Sequence, residues 1–306
     1  MTPTDQMSSD RVWRINPEHV LDLREPRLIG IVNATPDSFS DGGMFKSTDA
    51  LIGHALRLVE EGVSVIDVGG ESTRPGAVRI DAQLQIERTV PFIEQFRQCC
   101  NLPLSIDTTR ADVARAALDA GASIINDVSA GREDDLIFPL AAERGCGLIL
   151  MHRRLPPDRD SYSHDYAEEP HYDDVVTDVR RFLQQRADAA RAAGVSPHAI
   201  VIDPGLGFGK SVSQNYQLIR RTDELLDLGY PLLSGASRKS FIGAVTGAEL
   251  PRDRAIASAA LTVLHYLAGV RLFRVHDPAA HRQALAVTQA VQRASKSPRS
   301  PRHPVG

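Results

Sequence analysis

Polar and ionisable residues follow one apolar run after another along this 306-residue chain, and their types are those a ligand site needs. Asn33 follows the run 28–32, and the stretch Gly70-Glu71-Ser72-Thr73-Arg74 follows 63–68. Asp107 follows 104–106, Asn126-Asp127 follow 123–125, His152 follows 148–151 and Asp203 follows 200–202. Ser237-Arg238-Lys239 come after 231–233, and the last run, 270–275, carries Arg274 and leads into His276-Asp277. Carboxylate acceptors (Asp107, Asp203), an amide that donates and accepts (Asn126) and an ammonium (Lys239) together suit a fused heterocycle with an amino-pyrimidinone edge. Arg74, Arg274 and His276 could clamp phosphate, the arginines through their bidentate fork. Asn33 with nearby carboxylates would suit Mg²⁺, which takes oxygen ligands and keeps several waters.

The elements that must position these groups are eight short, β-branched runs alternating with helical spacing. Helical periodicity marks 50–58, 113–118 and 175–182. The stretch 255–267 is almost wholly apolar, which predicts a helix buried against the sheet or a partner subunit. Gly62, Gly121, Gly145, Gly194 and Gly229 each follow a helical stretch and precede a run, the position of a left-handed C-cap. Such alternation demands parallel strands with right-handed crossovers. An open doubly wound sheet satisfies it, but eight repeats in about 250 residues fit a closed (β/α)₈ barrel better. Its eight strand ends would then converge on one mouth. We expect one barrel domain over residues 27–294, an irregular extension over 1–26 and a disordered Ser/Pro/basic tail over 295–306.

Composition narrows the function. The net charge is −4, with 42% apolar and 24% charged residues, which argues against nucleic-acid binding and against a disordered chain. No uncharged run of about 18 apolar residues offers a membrane span, and the polar N-terminus lacks the core of a signal peptide. Three cysteines, two of them adjacent, with no metal spacing, point to reduced thiols in a cytoplasmic protein.

Several of these residues have plainer readings. Asp277 precedes Pro278, so it reads first as a helix N-cap. Asp127 reads as a cap or turn residue, Glu71 as a brace for its loop, and His152 equally as packing or as ligand. His54, His265 and His281 lie on helical stretches and read as structural. For Asp107, Asp203, Lys239 and Arg274 the plain reading is an internal ion pair. The stretch DPGLGFGKS (203–211) is not a phosphate-binding loop, because GxxxxGK[ST] would need glycine where Pro204 stands. Its glycines fit a tight turn and close approach to a flat ligand.

The segments NATPDSFSDGG (33–43), ESTRPG (71–76), SIDT (105–108), INDVSAG (125–131), DPGLGFGK (203–210), GASRKSFIG (235–243) and RVHD (274–277) resemble dihydropteroate synthase, in the family's order. That resemblance implies a (β/α)₈ homodimer. It also implies an enzyme joining para-aminobenzoate to 6-hydroxymethyl-7,8-dihydropterin diphosphate, with release of diphosphate. By similarity, Asp107, Asn126, Met151, Asp203 and Lys239 hold the pterin. Asn33 binds Mg²⁺, and Arg274, His276, Thr73 and Arg74 take the diphosphate. Phe39, Thr73, Arg74, Pro75 and Ser240 shape the aminobenzoate pocket, where sulfonamides compete. Asp107, Asp41 and Lys239 are the expected catalytic residues. The chain departs from the family after His152, where Arg153-Arg154-Leu155-Pro156-Pro157 and a charged segment to His171 replace a Met-x-Gly stretch. A corrinoid-linked pterin methyltransferase and a pterin-binding paralogue without activity are the competing readings.

Overall fold

The computed structural model describes residues 12–35 and 48–294. The expectations for Phe39, for Asp41 and for the tail 295–306 lie outside the described residues. Ten strands and ten α-helices are described: β1 (Val12–Arg14), β2 (Val20–Asp22), β3 (Arg27–Asn33), α1 (Thr48–Glu60), β4 (Val65–Gly69), α2 (Ala82–Cys99), β5 (Leu104–Asp107), α3 (Ala111–Asp119), β6 (Ile124–Asp127), α4 (Ile137–Arg144), β7 (Gly147–Met151), α5 (Val175–Ala192), β8 (Ile200–Asp203), α6 (Val212–Arg220), α7 (Thr222–Leu226), β9 (Leu233–Ser234), α8 (Ser240–Thr246), α9 (Ala255–Ala268), β10 (Leu272–Val275) and α10 (Pro278–Ala294).

Eight strands pair in parallel in the order β8-β7-β6-β5-β4-β3-β10-β9. A parallel bridge between Ile202 and Leu232 joins the two ends, and Ile202 N donates to Pro231 O at 3.0 Å. The sheet is therefore a closed barrel and not an open doubly wound sheet. Each strand is buried on both faces, as parallel strands beneath crossover helices must be. Leu28, Val32, Ile66, Val68, Leu148, Leu150, Ile200, Ile202 and Phe273 belong to the core shared with the helices. The alternate positions, Ile29, Val65, Ile124, Ile149, Val201, Leu233 and Leu272, form a separate apolar cluster inside the barrel.

That inner cluster also contains Trp13, Ile15 and Leu23, and here the structure differs from the expected irregular extension. β1 and β2 pair as an antiparallel hairpin, with Trp13 opposite Leu21. Trp13 is fully buried and its indole Nε1 donates to Ala199 O at 2.8 Å. The hairpin closes the base of the barrel because an apolar interior open to water would forgo about 1.5–3 kcal/mol per large side chain. Strand pairs of three residues are too short for alternating hydrophobicity to reveal them.

Local signals set the helices that frame the mouth. Asp174 caps α5 by accepting from Thr177 N at 2.8 Å. Ser211 and Gln214 form a reciprocal capping box at the start of α6. α9 buries Ala259, Leu261 and Tyr266 within the chain and turns Ile256, Leu264 and Leu267 outward, Ile256 at 85% exposure. No described helix is long and apolar enough to cross a membrane.

Candidate active site

Two residues beyond the apolar base, the inward positions turn polar. On β4 Val65 gives way to Asp67, on β6 Ile124 to Asn126, on β8 Val201 to Asp203 and on β10 Leu272 to Arg274. Register then brings them together: Asp107 pairs with Asn126 across β5 and β6, and Met151 with Asp203 across β7 and β8. Arg274 Nε donates to Asp67 Oδ2 at 2.6 Å and Nη2 to Asp107 Oδ2 at 2.9 Å. Asn126 Nδ2 donates to the same Asp67 Oδ2 at 3.2 Å. The second oxygens, Asp67 Oδ1 and Asp107 Oδ1, are buried without a hydrogen-bond partner. Burial raises the pKa of Asp107, Arg274 opposes that rise and Asp67 reinforces it.

Asp203 and Lys239 form the other wall. Asp203 Oδ1 accepts from Gly205 N at 2.7 Å, and desolvation pushes its carboxyl up to about 6. Burial, aided by Arg274, lowers the Lys239 ammonium to about 7, against the pull of Asp203 and Asp107. Its Nζ lies 3.7 Å from the centroid of Phe208, a close cation–π contact. Phe208, Met151 and Val128 make a small apolar cluster of their own.

The glycine-rich segment after β8 is a folded turn. At Gly205 φ is +66°, and a Cβ there would stand 1.9 Å from His152 O, so only glycine fits. Lys210 is fully buried beneath this turn. Its Nζ donates to Gly205 O at 2.9 Å and Phe208 O at 2.8 Å, and lies 3.0 Å from His152 Nδ1. His152 is therefore a buried partner of Lys210, set edge-on against Phe182, with its pKa lowered chiefly by desolvation.

The mouth is a cavity of about 170 Å³ whose lining includes Asn33, Thr73, Arg74, Pro75, Tyr162, Lys239, Ser240, Arg274 and His276. A larger hollow of about 800 Å³, lined in part by Leu23, Tyr230 and Arg271, opens beside the start of β3 and β10 instead, away from these groups. His276 Nδ1 lies 3.0 Å from Ser237 Oγ. The departing segment after β7 is built into the rim. Pro157 O accepts from Gly76 N at 2.8 Å, Asp160 Oδ2 from Gly209 N at 3.0 Å, and Ser163 N donates to Ser240 Oγ at 3.3 Å.

Asp107, Asn126, Met151, Asp203, Lys239 and Arg274 thus meet inside the barrel, and Asn33, Thr73, Arg74, Pro75, Ser240 and His276 meet at its mouth. The plain readings hold for Asp127, which accepts from Ser129 N at 2.8 Å and Oγ at 2.7 Å, and for Glu71, which accepts from Ile80 N at 2.8 Å. Asp277 does stand at the N-cap position before Pro278, its C=O accepting from His281 N at 3.5 Å, but its side chain is not the cap. Its carboxylate binds the guanidinium of Arg238, through Nε at 2.8 Å, while Glu61 Oε2 accepts from Ala279 N at 3.3 Å in the first turn of α10. Arg274 joins two roles, because it lines the mouth while two of its nitrogens hold buried carboxylates. Sequence reasoning missed Asp67, Lys210 and Phe208. The signal for Asp67 was present, as a carboxylate inside the apolar run VIDVG.

The donor set bears on Mg²⁺ as well. Among the described residues no group of three His, Cys, Asp or Glu side chains could hold a metal ion. Asn33 lines the mouth, and its side-chain amide oxygen is the hard donor type that Mg²⁺ takes.

Known proteins agree with this geometry. Residues 29–276 match the family described as pterin binding enzyme. The dihydropteroate synthase of Mycobacterium leprae is 46% identical over 275 residues, covering 88% of this chain and 95% of that protein. The solved dihydropteroate synthase of Xanthomonas albilineans with 4-aminobenzoic acid superposes with a TM-score of 0.84 at 44% identity, over 92% of this chain and 98% of that one. The same enzyme in complex with 7,8-dihydropteroate gives a TM-score of 0.81 at 42% identity over the same shares of each chain. The chain belongs to the pterin binding enzyme family, among its dihydropteroate synthases.

Proposed function

We infer that this chain condenses 6-hydroxymethyl-7,8-dihydropterin diphosphate with para-aminobenzoate, giving 7,8-dihydropteroate and diphosphate for folate synthesis. The observation that carries this reading is the convergence of Asp107, Asn126, Asp203 and Lys239 beside a mouth rich in cations. Three acceptors face a ring edge rich in N–H groups, and Lys239 donates to its carbonyl.

The chemistry follows from charge. Arg74, Arg274 and His276 take the diphosphate, and the methylene C–O bond breaks with its electron pair leaving on that group. Asn33 would hold Mg²⁺, which when bound supplies neutralisation of the leaving diphosphate. The pterin methylene gains positive charge, and buried Asp107 stabilises it more than the neutral ground state. The aniline nitrogen attacks, the N–C bond forms and the resulting arylammonium loses its proton to water. Thr73, Pro75 and Ser240 orient the aminobenzoate, where sulfonamides compete. Asp41 and Phe39 complete the site by similarity alone.

A second copy of the chain packs on the outward apolar residues of α9 and α10, Ile256, Leu264, Leu267, Val287 and Val291. Cys99, Cys100 and Cys146 are free thiols, which supports a reducing, cytoplasmic setting. Steady-state assay of dihydropteroate formation with Mg²⁺ tests the activity. Absence of product with pterin still bound would replace it with a binding protein. Light scattering tests the pairing: Leu264→Asp is expected to halve the particle mass, and a wild type of monomer mass refutes it.

A further inference from the structure

Asp67 is 1% exposed, and one strand separates β4 from each of the strands that carry the ligand-facing residues it touches, β6 with Asn126 and β10 with Arg274. It sits in the middle of β4, in register with Ile31 on β3 and Ser105 on β5. Its Oδ2 accepts from Arg274 Nε at 2.6 Å and from Asn126 Nδ2 at 3.2 Å. Asn126 therefore turns its amide nitrogen, not its oxygen, toward a carboxylate oxygen that already accepts from Arg274. Were the amide turned over, Asn126 Oδ1 would face a carboxylate oxygen, and two acceptors would be set against each other in a buried place.

We propose that Asp67 is a positioning residue that fixes the amide of Asn126 so that its carbonyl oxygen is the acceptor presented to the pterin. The same carboxylate holds the Nε edge of Arg274, whose Nη2 in turn holds Asp107 at 2.9 Å. One buried side chain thereby sets the direction of the amide and the place of the carboxylate. The site becomes a reader of three acceptors, Asp107, Asn126 and Asp203, and discriminates for rings whose facing edge carries N–H groups. A ring with acceptors on that edge meets unpaired oxygens and binds poorly.

This rests on the pterin reading above, and wild-type binding of 6-hydroxymethylpterin by calorimetry tests that reading by itself. A wild-type chain that binds no pterin overturns both. With binding in hand, Asp67→Ala, Asn126→Ala and the double variant Asp67→Ala/Asn126→Ala are compared. Each single change weakens pterin affinity on the order of 10- to 100-fold. KM for aminobenzoate stays within about twofold, since that ring touches the mouth and not β4. The double variant loses little more than Asn126→Ala alone, because Asp67 acts on the pterin through that amide. A merely structural role predicts something else: equal losses for both substrates, lower melting temperature and losses that add in the double variant. Wild-type pterin affinity in Asp67→Ala also overturns the proposal. Should that variant fail to fold, Asp67→Ser is put through the same comparison with Asn126→Ala.

Discussion

The base and the mouth of the barrel use the same inward positions of the same strands and do opposite things with them. At the base, Ile29, Val65, Ile124, Ile149, Val201, Leu233 and Leu272 close on Trp13 and Ile15, and the Trp13 indole donates to Ala199 O. Two residues further along, Asp67, Asn126, Asp203 and Arg274 occupy the next inward layer, with Asp107 beside them. The base gains from leaving water. The mouth loses by it, and Arg274 offsets part of that loss by pairing with both Asp67 and Asp107. Stability and function are thus separated along the barrel axis by about 6–7 Å, the rise of two strand residues.

Mutations can break that separation. The largest effect is expected from Arg274→Ala, which leaves Asp67 and Asp107 buried without their cation. We expect a loss of about 3–5 kcal/mol in urea unfolding together with lost turnover. An unchanged unfolding midpoint would show that the polar layer does not depend on this ion pair. Trp13→Ala is expected to cost about 3–5 kcal/mol as well, but with both KM values unchanged at a temperature where the chain is folded. A shifted KM would mean that base and mouth are coupled. Lys239→Ala is the converse case: pterin affinity falls on the order of 10- to 100-fold while the melting temperature holds.

The smallest and most diagnostic effect is on pH. Asp203 sits at about 6, so as pH falls through that value it gains a proton and stops accepting. Lys239 sits at about 7, so as pH rises through that value it loses the charge that recognises the ring carbonyl. The profile of kcat/KM is therefore expected to be a narrow bell, its acid limb set by Asp203 near 6 together with Asp107, whose carboxyl burial also raises, and its alkaline limb by Lys239 near 7. Loss of the alkaline limb in Lys239→Gln, measured with residual activity, would sharpen the assignment. A profile flat from about pH 5 to 8 would remove these groups from it.

How far the sequence reveals this depends on where each signal lies. Groups at strand ends are legible, because a polar residue after an apolar run stands out by contrast, as Asp107 and Asp203 do. Asp67 and Lys210 are less so: one shows only as a lone carboxylate within a strand, the other lies in a glycine-rich turn, and their meaning comes from partners far along the chain. Arg274 binds Asp67 across 207 positions. The alternation of runs conveys the barrel, but it does not convey the hairpin at the base, whose strands have three residues each. Asp277 shows the reverse failure: Asp-Pro is a fair local sign of a cap, yet Arg238 from the neighbouring loop takes the carboxylate.

The segment between β7 and α5 touches the rim at three separate points, through Pro157, Asp160 and Ser163. A change of length or sequence in that one stretch is therefore transmitted to both sides of the opening at once, without altering any residue that meets substrate. A compound reaching toward Tyr162, which lines the mouth, would feel such a change, and one confined to the pterin floor would not.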